Sequence, residues 1–176
     1  MTKKLISWVT QEEFEKLFKV EYDKPFKLAM LLAFEAGMRI SEILGLKKKD
    51  KTYKIQPLQR NQVDLERHTI LIKSGKGNRD RVVPLPKRFN EKALAILPLT
   101  FSRRTFQRRL KDLGNRVLNK RIGPHTLRHG FGSHLAGSGR PIHEVQMLMG
   151  HSRLDTTGIY LHANPKKAVE GARDVF

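Results

Sequence analysis

Apolar positions recur at helical spacing along most of the chain. Thr10-Gln11-Glu12-Glu13 forms a capping box, which predicts a helix over about 11–19. Asp23 is placed to cap a second helix, Pro25 to Ala36, with Pro25 in its first turn and Gly37 beyond its end. That segment is apolar on most sides, the mark of a central core helix. Ser41 is expected to cap a short helix from Glu42 to Leu46. A longer helix begins at Ser102, where Phe106, Leu110, Leu113 and Val117 form one stripe. Pro124 opens another, with Leu127, Phe131 and Leu135 inward and Gly137 and Gly139 ending it. Pro141 starts a helix over Ile142 to Met149 that stops at Gly150. Short helices are expected from about Asp155 to Leu161 and from Pro165.

Strand signals sit in one place. His68 to Ser74 is rich in β-branched residues, Gly75 to Asn78 supplies a turn, and Arg79 to Leu85 follows as a second run. Two such runs about a glycine-rich turn predict a β-hairpin. Residues 47–60 are basic and irregular, a loop or a short extra strand. The fold class is therefore α+β, mostly helical with one small antiparallel sheet.

Composition narrows the chemistry. The 176 residues suit one domain, and the absence of cysteine excludes disulfides, thiolate metal sites and a cysteine nucleophile. No run approaches the ~18 apolar residues of a membrane span, and no signal peptide is indicated, so a cytoplasmic location is expected. The net charge is +18, from 35 Lys and Arg against 17 Asp and Glu. Residues 1–100 carry 21 basic and 12 acidic groups, and residues 101–176 carry 14 and 5, so each part is +9. The charge belongs to the folded surface, and a surface so biased gains by meeting a polyanion, nucleic acid foremost. Arg103, Arg104, Arg108 and Arg109 lie on one helix. Between 102 and 121, eight basic groups face a single acid, Asp112, so pairing within that window leaves them available to a phosphate backbone.

Residues 125–162 hold most of the candidate chemistry: His125-Thr-Leu-Arg128-His129, Leu148-Met-Gly150-His151-Ser, and Thr156-Thr157-Gly-Ile-Tyr160-Leu-His162. His125 and Arg128 share a helix face. Arg39 follows the glycine that ends the core helix, Glu42 lies three residues later, and Lys76 falls at the hairpin turn. Two arginine forks on one phosphate would stabilise a five-coordinate transition state. A tyrosine hydroxyl can attack phosphorus, a lysine can protonate a leaving oxygen, and a histidine can carry the tyrosine proton. The arginines supply the charge that a metal would otherwise bring. His125 and His129 lack the adjoining His-Glu pair of a zinc protease, so neither metal nor other cofactor is expected.

These motifs, in this order, closely resemble the catalytic domain of tyrosine recombinases, the phage-integrase family that includes the Xer recombinases. The resemblance runs from Trp8 to about His162. It covers the Gly37-Met-Arg39-Ile-Ser-Glu42 box, the Gly75-Lys76-Gly77-Asn78-Arg79-Asp80-Arg81 turn followed by Val82-Val-Pro84-Leu85, the His-x-x-Arg box, and the tyrosine box. It implies that Tyr160 is the nucleophile forming a 3′-phosphotyrosyl bond, and that Arg39 and Arg128 clamp the phosphate. It further implies that Lys76 is the general acid, ahead of Lys73 on the same hairpin. His125 handles the tyrosine proton, His151 bonds the phosphate, and Glu42 supports the site. His129, His134, His143 and His162 are read as structural or surface residues.

The resemblance also implies double-stranded DNA as partner, self-association on DNA through a tail at 163–176, and strand rejoining without ATP. Lys47, Lys48 and Lys49, in a stretch between Leu46 and Val63 longer than the family's usual link, would add DNA contacts. Residues 1–176 are expected to be the catalytic domain alone, without the family's N-terminal DNA-binding domain. Two other readings stay open: a supercoil-relaxing enzyme with the same site, and a DNA-binding module that has lost catalysis.

Overall fold

The computed structural model describes residues 8–73 and 80–150. Lys76, His151, Tyr160, His162, the helices expected from about 155 and 165, and the 163–176 tail lie outside the described residues. Helix α1 (Gln11–Val20) starts as its capping box dictates: Thr10 Oγ1 accepts the Glu13 N–H at 3.2 Å, and Glu13 Oε2 accepts the Thr10 N–H at 2.9 Å. Helix α2 (Lys24–Glu35) is capped by Asp23, whose Oδ1 accepts the Phe26 N–H at 2.9 Å. Phe26 and every residue from Leu28 to Phe34 are buried, so α2 is the core helix its composition announced.

Helix α3 (Ile40–Leu44) departs from the expected bounds. Arg39, not Ser41, holds the N-cap position, because Glu42 reaches back from the third helical residue and accepts the Arg39 N–H at 2.7 Å. Gly45, at φ +77°, stops the helix before Leu46. The irregular basic stretch folds as a hairpin of β1 (Leu46–Lys47) and β2 (Tyr53–Ile55), with Asp50 accepting from Thr52 in the turn. The Leu58 N–H then returns to the Ile43 carbonyl at 3.2 Å.

The predicted hairpin is β4 (Thr69–Ile72) and β5 (Arg81–Pro84), and β3 (Val63–Asp64) adds a third antiparallel strand that the sequence pattern does not signal. Ile70, Ile72, Arg81 and Val83 are buried, while Leu71 and Val82 face outward, the two-residue alternation of a strand. Helix α4 (Glu91–Ala95), capped by Asn90, is too short to show a period, so the pattern does not signal it either. Helix α5 (Arg103–Leu118) is capped by Ser102 and buries Phe106, Leu110 and Leu113, with Val117 half-buried.

Helices α6 (Pro124–Gly137) and α7 (Ile142–Met149) match their expected spans. The contact of α6 with α2 depends on Gly130, where a Cβ would lie 2.5 Å from both Phe34 Cε2 and the Val9 carbonyl oxygen. Phe131 packs with Val145 and Met149, fastening α7 to α6. No described helix is long and apolar enough to cross a membrane.

Candidate active site

Three elements distant in sequence meet where α2 ends. Gly37, at φ +62°, reverses the chain so that Arg39 opens α3. Arg128 rises from α6 and is buried at 5% exposure. Its Nη1 donates to the Gly37 carbonyl and its Nη2 to the Met149 carbonyl at the end of α7. Arg39 donates from Nη2 to the Gly150 carbonyl at 2.8 Å and from Nη1 to Glu42 Oε1 at 3.0 Å. Two of its five N–H donors are thus committed, and its side chain remains 32% exposed. Arg39 and Arg128 are therefore held to one turn and one helix end.

A third arginine completes the group. Arg81 faces inward from β5 and forms a two-pronged pair with Glu42, Nη1 to Oε1 at 2.9 Å and Nη2 to Oε2 at 2.8 Å. Its Nε donates to the Leu148 carbonyl at 3.0 Å. The last carbonyls of α7, at Leu148, Met149 and Gly150, thus accept from Arg81, Arg128 and Arg39 in turn. Helix-terminal carbonyls lack partners within the helix and carry the negative end of its dipole, so cations belong there. Gly150, at φ +58°, closes the helix against the Arg81 guanidinium.

Burial by itself pushes the Glu42 carboxyl upward, but hydrogen bonds and charge from Arg81 and Arg39 outweigh it. The net direction is below the usual carboxylate range, so Glu42 is ionised at neutral pH. Burial pushes the His129 imidazole downward, and the nearby His125 and Arg128 add to the effect. His129 is therefore neutral at pH 7 and donates no charge to the site.

Of the expected site residues, Arg39, Arg128 and Glu42 come together. His125 is exposed in the first turn of α6, one turn ahead of Arg128. His151 follows directly on Gly150. The sequence pattern assigns no role to Arg81, although strand alternation with Val83 puts it on the inward face. A charge on that face is the signal that singles it out.

The expected DNA-facing residues divide. Lys47, Lys48, Lys49, Arg103, Arg104 and Arg108 are exposed, and Lys47 Nζ lies 5.0 Å from the Tyr53 ring centroid. Arg109 is turned to the fold instead. Its Nη1 donates to Asp23 Oδ2 at 2.9 Å, its Nη2 to Glu21 Oε1 at 3.3 Å, and it lies over Phe26 at 4.2 Å. Lys120 likewise pairs with Glu13 at 2.9 Å. A charge count confined to residues 102–121 misses these partners because they come from another segment.

A model of the phage integrase family matches residues 7–167. Tyrosine recombinase XerA of Thermococcus kodakarensis is 38% identical over 171 residues, covering 86% of this chain and 56% of that protein. The chain thus spans little more than half of that relative's length. Among solved structures, XerH site-specific recombinase bound to a palindromic difH substrate, a post-cleavage complex, superposes with a TM-score of 0.73. It is 26% identical, and the match covers 96% of this chain and 53% of that one. The catalytic domain of bacteriophage HP1 integrase, 19% identical, shares the fold with a TM-score of 0.67, over 96% of this chain and 94% of that one.

Proposed function

The chain belongs to the phage integrase family of tyrosine recombinases, and from that premise we propose that it is a strand-transfer domain acting on double-stranded DNA. The observation that carries this reading is the convergence of Arg39 and Arg128 on the Gly37 turn and the end of α7. It supplies two permanent cations of fork geometry beside the chain that leads to His151.

In this reading the Tyr160 oxygen attacks the scissile phosphorus, and the P–O bond to the 5′ oxygen breaks. His125 takes the tyrosine proton, Lys76 gives a proton to the departing 5′ oxygen, and His151 bonds a phosphate oxygen. Arg39 and Arg128 stabilise the charge that builds in the five-coordinate state, an effect worth about a hundredfold or more per donor in comparable sites. The phosphotyrosyl bond conserves the energy of the broken linkage. A 5′ hydroxyl from another strand then reverses the steps, so rejoining needs no ATP and no metal. Lys47, Lys48, Lys49, Arg103, Arg104 and Arg108 hold the duplex backbone and position it without reading its sequence. Self-association on DNA through residues 163–176 belongs to the same proposal.

The test uses a library of nicked duplexes of randomised sequence, in which cleavage near the nick releases a short fragment and traps the intermediate. The wild-type chain is expected to form a covalent protein–DNA adduct stable to detergent, and Tyr160→Phe none. An adduct of equal yield from Tyr160→Phe overturns the assignment.

A further inference from the structure

We propose that Arg81 is a positioning residue of the phosphate clamp, acting through Glu42 and the end of α7; this rests on the strand-transfer reading above. Glu42 is the shared support. Its two oxygens accept four hydrogen bonds, two from Arg81 and two from Arg39, one of the latter being the backbone N–H. With Arg81 in place, the carboxylate has one orientation, and the Arg39 guanidinium has a fixed rest on one side. Without Arg81, a carboxylate buried to 9% exposure keeps a single arginine partner and is free to turn toward it.

The second link runs through the backbone. Arg81 Nε bonds the Leu148 carbonyl, two residues before the Gly150 carbonyl that holds Arg39 Nη2. A Cβ on Gly150 would lie 3.0 Å from Arg81 Cδ and 3.1 Å from its Nε, so the Arg81 side chain packs close against the bare backbone there. Arg81 therefore fixes both partners of Arg39, the carboxylate on one side and the helix end on the other.

Geometry assigns the role to an arginine specifically. Three donors must reach three acceptors at once, two on Glu42 and one on Leu148, in the plane of one fork. A lysine carries the charge but offers a single nitrogen. Arg81 also opens β5, opposite Ile72, five residues after Lys76 in sequence. The residue ties the strand that follows the general acid to the helix that opens with the clamp.

The full chain carrying Arg81→Lys tests this on the nicked library. Misplacing Arg39 is expected to slow single-turnover cleavage by about a hundredfold, with duplex affinity unchanged because the surrounding phosphate contacts are intact. Two altered substrates separate positioning from general loosening. A neutral methylphosphonate at the scissile position asks less charge of the clamp, so the deficit of Arg81→Lys should shrink by about tenfold on it. A sulfur in place of the 5′ bridging oxygen leaves without a proton, so it should restore Lys76→Ala and leave Arg81→Lys impaired.

If Arg81→Lys fails to fold, the double variant Arg81→Gln with Glu42→Gln removes both buried charges together. It is expected to show the same selective recovery on the methylphosphonate. Wild-type cleavage by Arg81→Lys, an equal loss on both phosphate chemistries, or rescue by the bridging sulfur overturns the inference alone. A wild-type chain that forms no adduct at all overturns the strand-transfer reading and this inference with it.

Discussion

Arg39 and Gly150 lie 111 positions apart, and the arginine Nη2 donates to the glycine carbonyl at 2.8 Å. This bond ties the start of α3 to the end of α7, so the placement of the Arg39 guanidinium depends on how α7 terminates. Gly150 allows that ending twice over: its φ of +58° is left-handed, and its missing Cβ leaves room for Arg81.

Gly150→Ala should therefore do two things. The left-handed conformation costs an alanine about 1–2 kcal/mol, measurable by urea unfolding. The added methyl also pushes the Arg81 side chain, so adduct formation should slow beyond what partial unfolding explains. Stability and cleavage both at wild-type level would mean that the helix end tolerates a second arrangement.

Glu42 holds two arginines, and its removal strands one of them. Glu42→Ala leaves Arg81 buried and unpaired, and breaking such a pair costs about 3–5 kcal/mol. Replacing both partners, Arg81→Met with Glu42→Leu, should recover most of that loss, since an apolar pair needs no charge compensation. Cleavage should not return with stability. A double-mutant cycle on unfolding free energy and on adduct rate reads the two separately.

What the sequence makes legible is local. The capping box at Thr10, the Asp23 cap and the Phe106 stripe each depend on residues within a few positions, and each element forms as its pattern says. The helix after Gly37 starts earlier than its composition suggests, because Ser41 is by type a better cap than Arg39. A carboxylate reaching back from Glu42 decides the matter. Helix α4 and strand β3 are too short to carry a period. Motif order singles out Arg39, Glu42 and Arg128, which the fold brings together, but it does not single out Arg81. Its partners Glu42 and Leu148 lie far away in sequence, and only packing brings them together. Arg109 escapes a local reading for the same reason, through Glu21 and Asp23.

Acid should lower the stability of the chain in two stages. His129 has its pKa lowered by burial, so the unfolded chain takes up a proton before the folded one does. Stability is then lost as pH falls below the ordinary histidine value of about 6.5. Glu42 has its pKa lowered by Arg81 and Arg39 against the opposing effect of burial, and Asp23 has its lowered first by the Phe26 N–H. Their contribution is present above the unfolded carboxylate value of about 4 and lost as pH falls through the folded values. Urea unfolding measured from pH 8 to pH 3 should show both declines. His129→Gln should flatten the upper one, and Glu42→Gln should flatten the lower one.

The arginines of α5 should separate by salt. Arg103, Arg104 and Arg108 are exposed, so each alanine variant that frees a phosphate releases about one fewer counterion on binding. The slope of log affinity against log salt should fall by about 0.9 for each phosphate no longer neutralised, with the melting temperature unchanged. Arg109 is committed to Asp23, Glu21 and the Phe26 ring, and it ties α5 to the segment before α2. Its exposure is partial, so the ion pairs are screened and the packing over Phe26 carries much of the effect. Arg109→Ala should lower the melting temperature and leave the salt slope near that of wild type. Titration of a labelled duplex at four salt concentrations, with a thermal melt of each variant, tests the division. A slope for Arg109→Ala that falls as far as that of Arg104→Ala would return Arg109 to the DNA-facing set.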